Sequence, residues 1–160
     1  MYYHDIKHED MLNGDGLRAV LFVSGCPHHC PGCQNPKTWD PHSGIPFDEA
    51  AEQEIYKELD KTYVAGLTLS GGDPLYAGNL DDVLALCRKI RGRYGHSKTI
   101  WIYSGYTLDE CRESDKRMEI LSICDVMCEG RFERDKLSPN KPWVGSENQN
   151  VIKLNTLVPV

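Results

Sequence analysis

The sequence predicts an α/β protein with a parallel sheet, and three observations carry that prediction. Short apolar runs rich in β-forming residues alternate with stretches of helical period. That alternation is the pattern of strands joined by right-handed crossovers. The chain has 160 residues, whereas a complete eight-fold α/β barrel typically takes ~250. A partial, incomplete parallel α/β barrel or an open sheet is therefore expected, with residues 1–160 forming a single domain.

The elements follow in order. Met1 to Asp10 is polar and charged and does not read as a signal peptide. Leu17 to Val23 is a nearly continuous apolar run, hence a buried strand. Phe47, Ala51, Ile55 and Leu59 lie four apart on one face of a helix whose start carries Asp48 and Glu49. Gly66 to Ser70 is a second strand. Asn79 is placed to cap the next helix, whose apolar stripe is Leu80, Val83, Leu84, Cys87 and Ile90. Asp81 and Asp82 at its start and Arg88, Lys89 and Arg91 near its end suit the helix dipole. Thr99 to Tyr103 is a third strand, and a helix follows from Thr107. Asp125 to Cys128 and Val151 to Leu154 read as the fourth and fifth strands.

Composition narrows the function. Net charge is −6 and the sequence pI is near 5.5, which argues against a nucleic-acid partner. The basic stretch Arg88 to Arg93 is explained as a helix end. No apolar run approaches the ~20 residues that span a bilayer, so a cytoplasmic protein is expected. Seven cysteines, an odd number with no secretory signal, point to metal binding or catalysis rather than disulfides.

In a parallel sheet the chemistry belongs at the C-terminal edge of the strands. Four unusual segments follow the predicted strands and converge there: the loop with Cys26, Cys30 and Cys33; Ser70-Gly71-Gly72-Asp73-Pro74; Gly105-Tyr106; and Glu129-Gly130-Arg131. The cysteines have C-x3-C-x2-C spacing, and thiolates suit zinc or iron–sulfur. Structural zinc needs four ligands, and no second C-x2-C pair exists. His28 or His29 could serve as the fourth, though in a cramped geometry. Cys30 and Cys33 alone resemble a redox pair, but Pro31, Gly32 and Pro36 fit a wrapped loop better than the helix such a pair opens. A [4Fe–4S] cluster normally takes four thiolates; three would leave one iron open to a small molecule.

The Ser70 to Pro74 segment is by composition a turn, but its two glycines also permit close approach of a ligand to backbone. Its predicted place beside the cysteines makes it a candidate contact. Asn13-Gly14-Asp15-Gly16 mimics a dinucleotide fingerprint but opens a strand, which rejects it. Cys87, Cys111, Cys124 and Cys128 read as core residues, with Cys124 and Cys128 placed in a strand. Trp101 and Tyr103 read as sheet residues, and Trp39 and Trp143 have no assignment.

With these residues in view, the sequence resembles the radical S-adenosylmethionine enzymes, whose signature is C-x3-C-x2-C. Within them it is similar to the proteins that activate anaerobic (class III) ribonucleotide reductase. Beyond the cysteine run, the likeness takes in Asn13-Gly14, Asn35 with Thr38-Trp39, Leu69 to Leu75, Gly105-Tyr106, Gly130-Arg131-Phe132, Gly145-Ser146 and Asn148-Gln149. The resemblance implies a partial barrel of the radical S-adenosylmethionine type. It implies that Cys26, Cys30 and Cys33 hold three irons of a [4Fe–4S] cluster while S-adenosylmethionine chelates the fourth. Gly32, Cys33 and Gln34 would lie near that cofactor, and Gly71, Gly72 and Asp73 would meet its amino group. One-electron cleavage would give a 5′-deoxyadenosyl radical that takes a hydrogen from a glycine of the anaerobic ribonucleoside-triphosphate reductase. A flavodoxin-type electron donor is implied. Gln34, Asp15, Glu129 and Val144 depart from the family's usual residues.

Overall fold

The computed structural model describes residues 1–155. Strands β1 (Tyr2–Asp10), β2 (Leu17–Val23), β3 (Ile45–Pro46), β4 (Val64–Gly71), β5 (Thr99–Ser104), β6 (Val126–Glu129) and β7 (Asn150–Lys153) form one sheet. Its order is β3-β1-β2-β4-β5-β6-β7. The β2-β4-β5-β6 centre is parallel, and the flanking pairs β1–β2, β1–β3 and β6–β7 are antiparallel. β3 and β7 lie at opposite edges, so the sheet is open, not closed into a barrel.

Helices α1 (Glu49–Leu59), α2 (Leu80–Tyr94), α3 (Leu108–Cys111) and α4 (Asp115–Ile123) complete the fold. Asp48 caps α1 by accepting from the Ala51 N–H. Thr107 and Glu110 form a reciprocal capping box on α3. The main core joins Leu21, Leu67, Leu69, Ile100, Ile102 and Met127 from one face of the sheet to Ile55, Leu59, Val83, Ile90 and Leu121 from the helices. The alternate residues Trp101, Val126 and Cys128 form a smaller cluster with Tyr103, Trp143 and Val151. The alternation along β5 is the period-two rule of a pleated strand. Trp143 meets Trp101 edge to face at 5.6 Å, and the Trp143 carbonyl accepts the Tyr103 hydroxyl at 2.8 Å. The segment from Arg131 to Gln149 thus covers part of this second face.

One strand goes unpredicted, and three sequence expectations are corrected. The polar N-terminus is a nine-residue strand. It hides from an apolar-run criterion because it lies near the sheet edge and buries little beyond Tyr3 and Ile6. The fifth strand runs antiparallel, since residues 130–149 contain a 3₁₀ turn but no crossover helix. Cys124 terminates α4 instead of lying in β6, although it is buried in the core as expected. Asn79 occupies the α2 N-cap position, but its side chain makes no capping bond.

Candidate active site

The parallel strands carry their loops to one end. After β2 the chain enters the cysteine loop, and its first peptide groups bond to the turn that ends it. The Gly25 N–H donates to the Thr38 carbonyl at 2.7 Å, and the Cys26 N–H to the Trp39 carbonyl at 3.1 Å. Thr38 closes the turn through its hydroxyl, which donates to the Asn35 carbonyl at 2.6 Å. Between these anchors the two histidines diverge. His29 takes a left-handed φ of 48° and stacks flat on Trp39 at 4.4 Å. His28 turns inward.

Each of the three sulfurs faces backbone N–H groups. The His28 and His29 N–H groups lie near Cys26 and that of Phe132 near Cys30, while Cys33 accepts a bond from the Asn35 N–H at 3.4 Å. Burial pushes the Cys26 thiol up to about 11 and raises Cys30, while the N–H groups pull both the other way. Such donors stabilise a thiolate or a bridged sulfur. The remaining cysteines, Cys87, Cys111, Cys124 and Cys128, are buried in the core. Gly32 and Gln34 are exposed on the loop surface. A cleft of about 300 Å³ opens between Pro31 and residues 132–136.

The glycine loop lies against the cysteine loop, as its place after a parallel strand predicts. The Gly72 N–H donates to the Val23 carbonyl and the Asp73 N–H to the Gly25 carbonyl, both at 2.7 Å. Gly71 has φ of 105°, and a Cβ there would overlap the Val23 backbone. A Cβ on Gly72 would lie 2.6 Å from the Gly25 oxygen. Only glycines allow the two loops this approach.

Asp73 is fully buried. Its Oδ1 accepts from the Leu75 N–H at 2.8 Å and the Ser104 hydroxyl at 2.9 Å. Its Oδ2 accepts from the Gly105 N–H at 2.9 Å and is bonded to His28 Nε2 at 2.7 Å. These fill the roughly four acceptor sites of a carboxylate. The His28 ring is 4% exposed and meets Tyr106 edge to face at 4.5 Å, while Arg117 lies over the Tyr106 ring at 3.8 Å. A Cβ on Gly105 would collide with His28, so that glycine makes room for the imidazole.

Asn79 completes the base. Its amide donates to the Ser24 carbonyl at 2.8 Å and the Asp73 carbonyl at 3.2 Å, which explains why it does not cap α2. At the end of β6, Glu129 accepts from the Leu108 N–H and from Asn150. Arg131 forms a two-pronged pair with Glu110 at 2.9 and 3.0 Å. Gln149 orders the covering segment by accepting from the Gly145 and Ser146 N–H groups and donating to the Gly130 carbonyl. Sequence reasoning places Cys26, Cys30, Cys33, Gly71, Gly72 and Asp73 at one edge, and the structure brings them together. It misses His28, Ser104 and Asn79 as partners of Asp73. Only the nearness of His28 to the cysteines hinted at a role.

Residues 12–152, which include both loops, match the family model described as a 4Fe-4S single cluster domain. The chain is 42% identical over 153 residues to the anaerobic ribonucleoside-triphosphate reductase-activating protein of Escherichia coli (strain K12), covering 94% of this chain and 97% of that protein. The protein of that name from Pasteurella multocida is 41% identical over 155 residues, covering 96% and 98%. The one from Enterobacteria phage T4 is 39% identical over 151 residues, covering 94% and 93%. The chain belongs to this family of reductase-activating proteins. The match to the activating-protein family runs through the three-cysteine loop, the glycine loop and the segment that covers the second face of the sheet. Among the described residues no helix is long and apolar enough to cross a membrane.

Proposed function

We propose that this protein is a glycyl-radical activating enzyme that uses a [4Fe–4S] cluster and S-adenosylmethionine to activate an anaerobic ribonucleoside-triphosphate reductase. The observation that carries the reading is the cysteine loop itself. Its three part-exposed sulfurs each meet backbone N–H donors, and every other cysteine is locked in the core. That donor set fits a cluster with three protein ligands and one open iron. Family membership names the reductase.

In this reading Cys26, Cys30 and Cys33 hold three irons, with Gly32 and Gln34 on the loop surface beside the cofactor. The Gly71-Gly72-Asp73 loop receives the methionyl amino group, with Asp73 setting the loop's place from its buried position. When bound, the cluster and cofactor supply one-electron reductive cleavage of a sulfonium, which provides the oxidant for a hydrogen atom on the partner's glycine. The chain's own residues hold, orient and shield. The sheet is read as an incomplete barrel whose uncovered side admits a protein segment. A flavodoxin-type protein supplies the electron, and the setting is cytoplasmic.

One observation favours a second reading. Cys26, His28 and Asp73 bring a sulfur, a ring nitrogen and a carboxylate oxygen within 4.8 Å of one another, a donor set that zinc accepts. Metal analysis of anaerobically prepared protein separates the two. The proposal expects about four irons per chain, loss of S-adenosylmethionine cleavage in Cys26→Ala, and a glycyl-radical resonance on the reductase. One zinc and no iron would favour a zinc-stabilised module. A radical on a different glycyl-radical enzyme, of the formate-lyase type, would change the partner alone.

A further inference from the structure

We propose that His28 is a positioning residue that locks the cluster loop to the glycine loop through Asp73, and that it governs cofactor affinity without ligating the cluster. The inference rests on the reading above and adds a role to a residue in the middle of the C-x3-C spacer.

His28 has a defined set of partners. Its Nε2 is bonded to Asp73 Oδ2 at 2.7 Å, and its ring is held by Tyr106 at 4.5 Å. Tyr106 is backed in turn by Arg117 at 3.8 Å. Gly105 leaves the space the ring fills. The neighbouring His29 shows the contrast, since it lies on the protein surface against Trp39. His28 sits two residues from both Cys26 and Cys30, and Asp73 sits directly after Gly71-Gly72. The 2.7 Å contact is therefore the side-chain tie between the segment that holds iron and the segment that receives the amine.

The energetic argument follows from that placement. A ligand gripped at one end by a metal on loop one and at the other by acceptors on loop two depends on the spacing of the loops. Misplacement by ~1 Å can cost on the order of 100-fold, and a site is only as precise as the contacts supporting it. The backbone bonds from Gly72 and Asp73 to Val23 and Gly25 fix the root of the cysteine loop. His28 fixes its middle. The carboxylate's acceptor sites are already filled by Leu75, Ser104, Gly105 and His28, so Asp73 acts by ordering the loop.

The test uses the full chain reconstituted anaerobically, with wild type as reference. Iron per chain is counted, and S-adenosylmethionine affinity is read from its effect on the reduced cluster's electron paramagnetic resonance signal. His28→Ala is expected to keep about four irons and to bind S-adenosylmethionine at least about tenfold more weakly. His28→Gln places an amide donor near the lost Nε2 and is expected to recover most of the affinity. In an Asp73→Asn background, His28→Ala should add little, because the shared contact is already altered. Unchanged affinity in His28→Ala overturns the proposal. So does joint loss of iron and affinity that His28→Gln fails to rescue, which would make His28 a requirement of the loop's fold alone. If wild type binds zinc and no iron, the functional reading fails instead, and the two failures are distinct.

Discussion

Arg18 and Asp73 are buried charges at opposite ends of the central strands, and they solve the same problem differently. Arg18, at the start of β2, is 1% exposed and, among the described residues, pairs with no carboxylate in a salt bridge. It donates to Thr68, the Thr99 side chain and the carbonyls of Asp15, Leu67 and Thr99, and its guanidinium lies 5.5 Å from the Trp101 ring centre. Burial lowers its pKa to about 10, yet the guanidinium stays charged at neutral pH. Asp73, between β4 and α2, is satisfied by two backbone N–H groups, a serine hydroxyl and His28. The partners of Arg18 sit on strands or, for Asp15, in the segment that joins β1 to β2. Those of Asp73 sit on three loops that leave the sheet and on Ser104, the last residue of β5. The cation therefore braces the sheet, whereas the anion braces loops against one another. The same physics, a buried polar group satisfied by several hydrogen bonds, is structural at one end and sits beneath the candidate chemistry at the other.

The largest expected effect breaks the structural end. Arg18→Ala strands several buried acceptors and opens a void, and should cost about 3–5 kcal/mol of unfolding free energy. Arg18→Met keeps much of the stem's volume and should lose less. Urea denaturation of the cluster-free chain measures both, and equal stability to wild type would refute the bracing role. Asp73→Asn comes next, at about 1–3 kcal/mol, because the amide oxygen still accepts while the amide nitrogen faces donors. Its iron content should hold while cofactor affinity falls. If Asp73→Asn destabilises as much as Arg18→Ala and leaves affinity intact, the contrast between the two ends disappears. Asn79→Ala removes two bonds, to the Ser24 and Asp73 carbonyls, and should cost about 1–2 kcal/mol in the same assay.

The sequence made one end of this comparison far more legible than the other. The strands β2, β4 and β5 announce themselves as apolar runs, and the charges along α2 mark both its ends. Their parallel order then places Cys26, Cys30, Cys33, Gly71 and Gly72 together without any further information. What stays hidden is long-range and chemical. His28 and Asp73 are 45 residues apart, and no spacing rule joins them. Arg18 reads as a lone polar residue in an apolar strand until Thr68 and Thr99 are seen beside it. β1 escapes because a half-exposed strand near the sheet edge need not be apolar, and β7 reverses direction because no helix carries the chain back across the sheet.

The smallest effect concerns how the covering segment is fastened beside the cysteine loop. Glu110 accepts two bonds from Arg131 and one from the Thr107 N–H. Chiefly through Arg131, its carboxyl is held down at about 2, from an ordinary value of 4.5. A folded-state value below the unfolded one stabilises the protein above about pH 4.5, and that contribution fades as pH falls toward about 2. The pair is more than a third exposed, so solvent and salt screen it and the effect is modest. Glu110→Gln keeps a side chain able to serve the capping box but loses the charge. The melting temperature of the variant should therefore lie slightly below wild type at pH 7, and the gap should close as pH approaches 2. A gap independent of pH would assign the loss to the cap and leave the Arg131 pair without energetic weight.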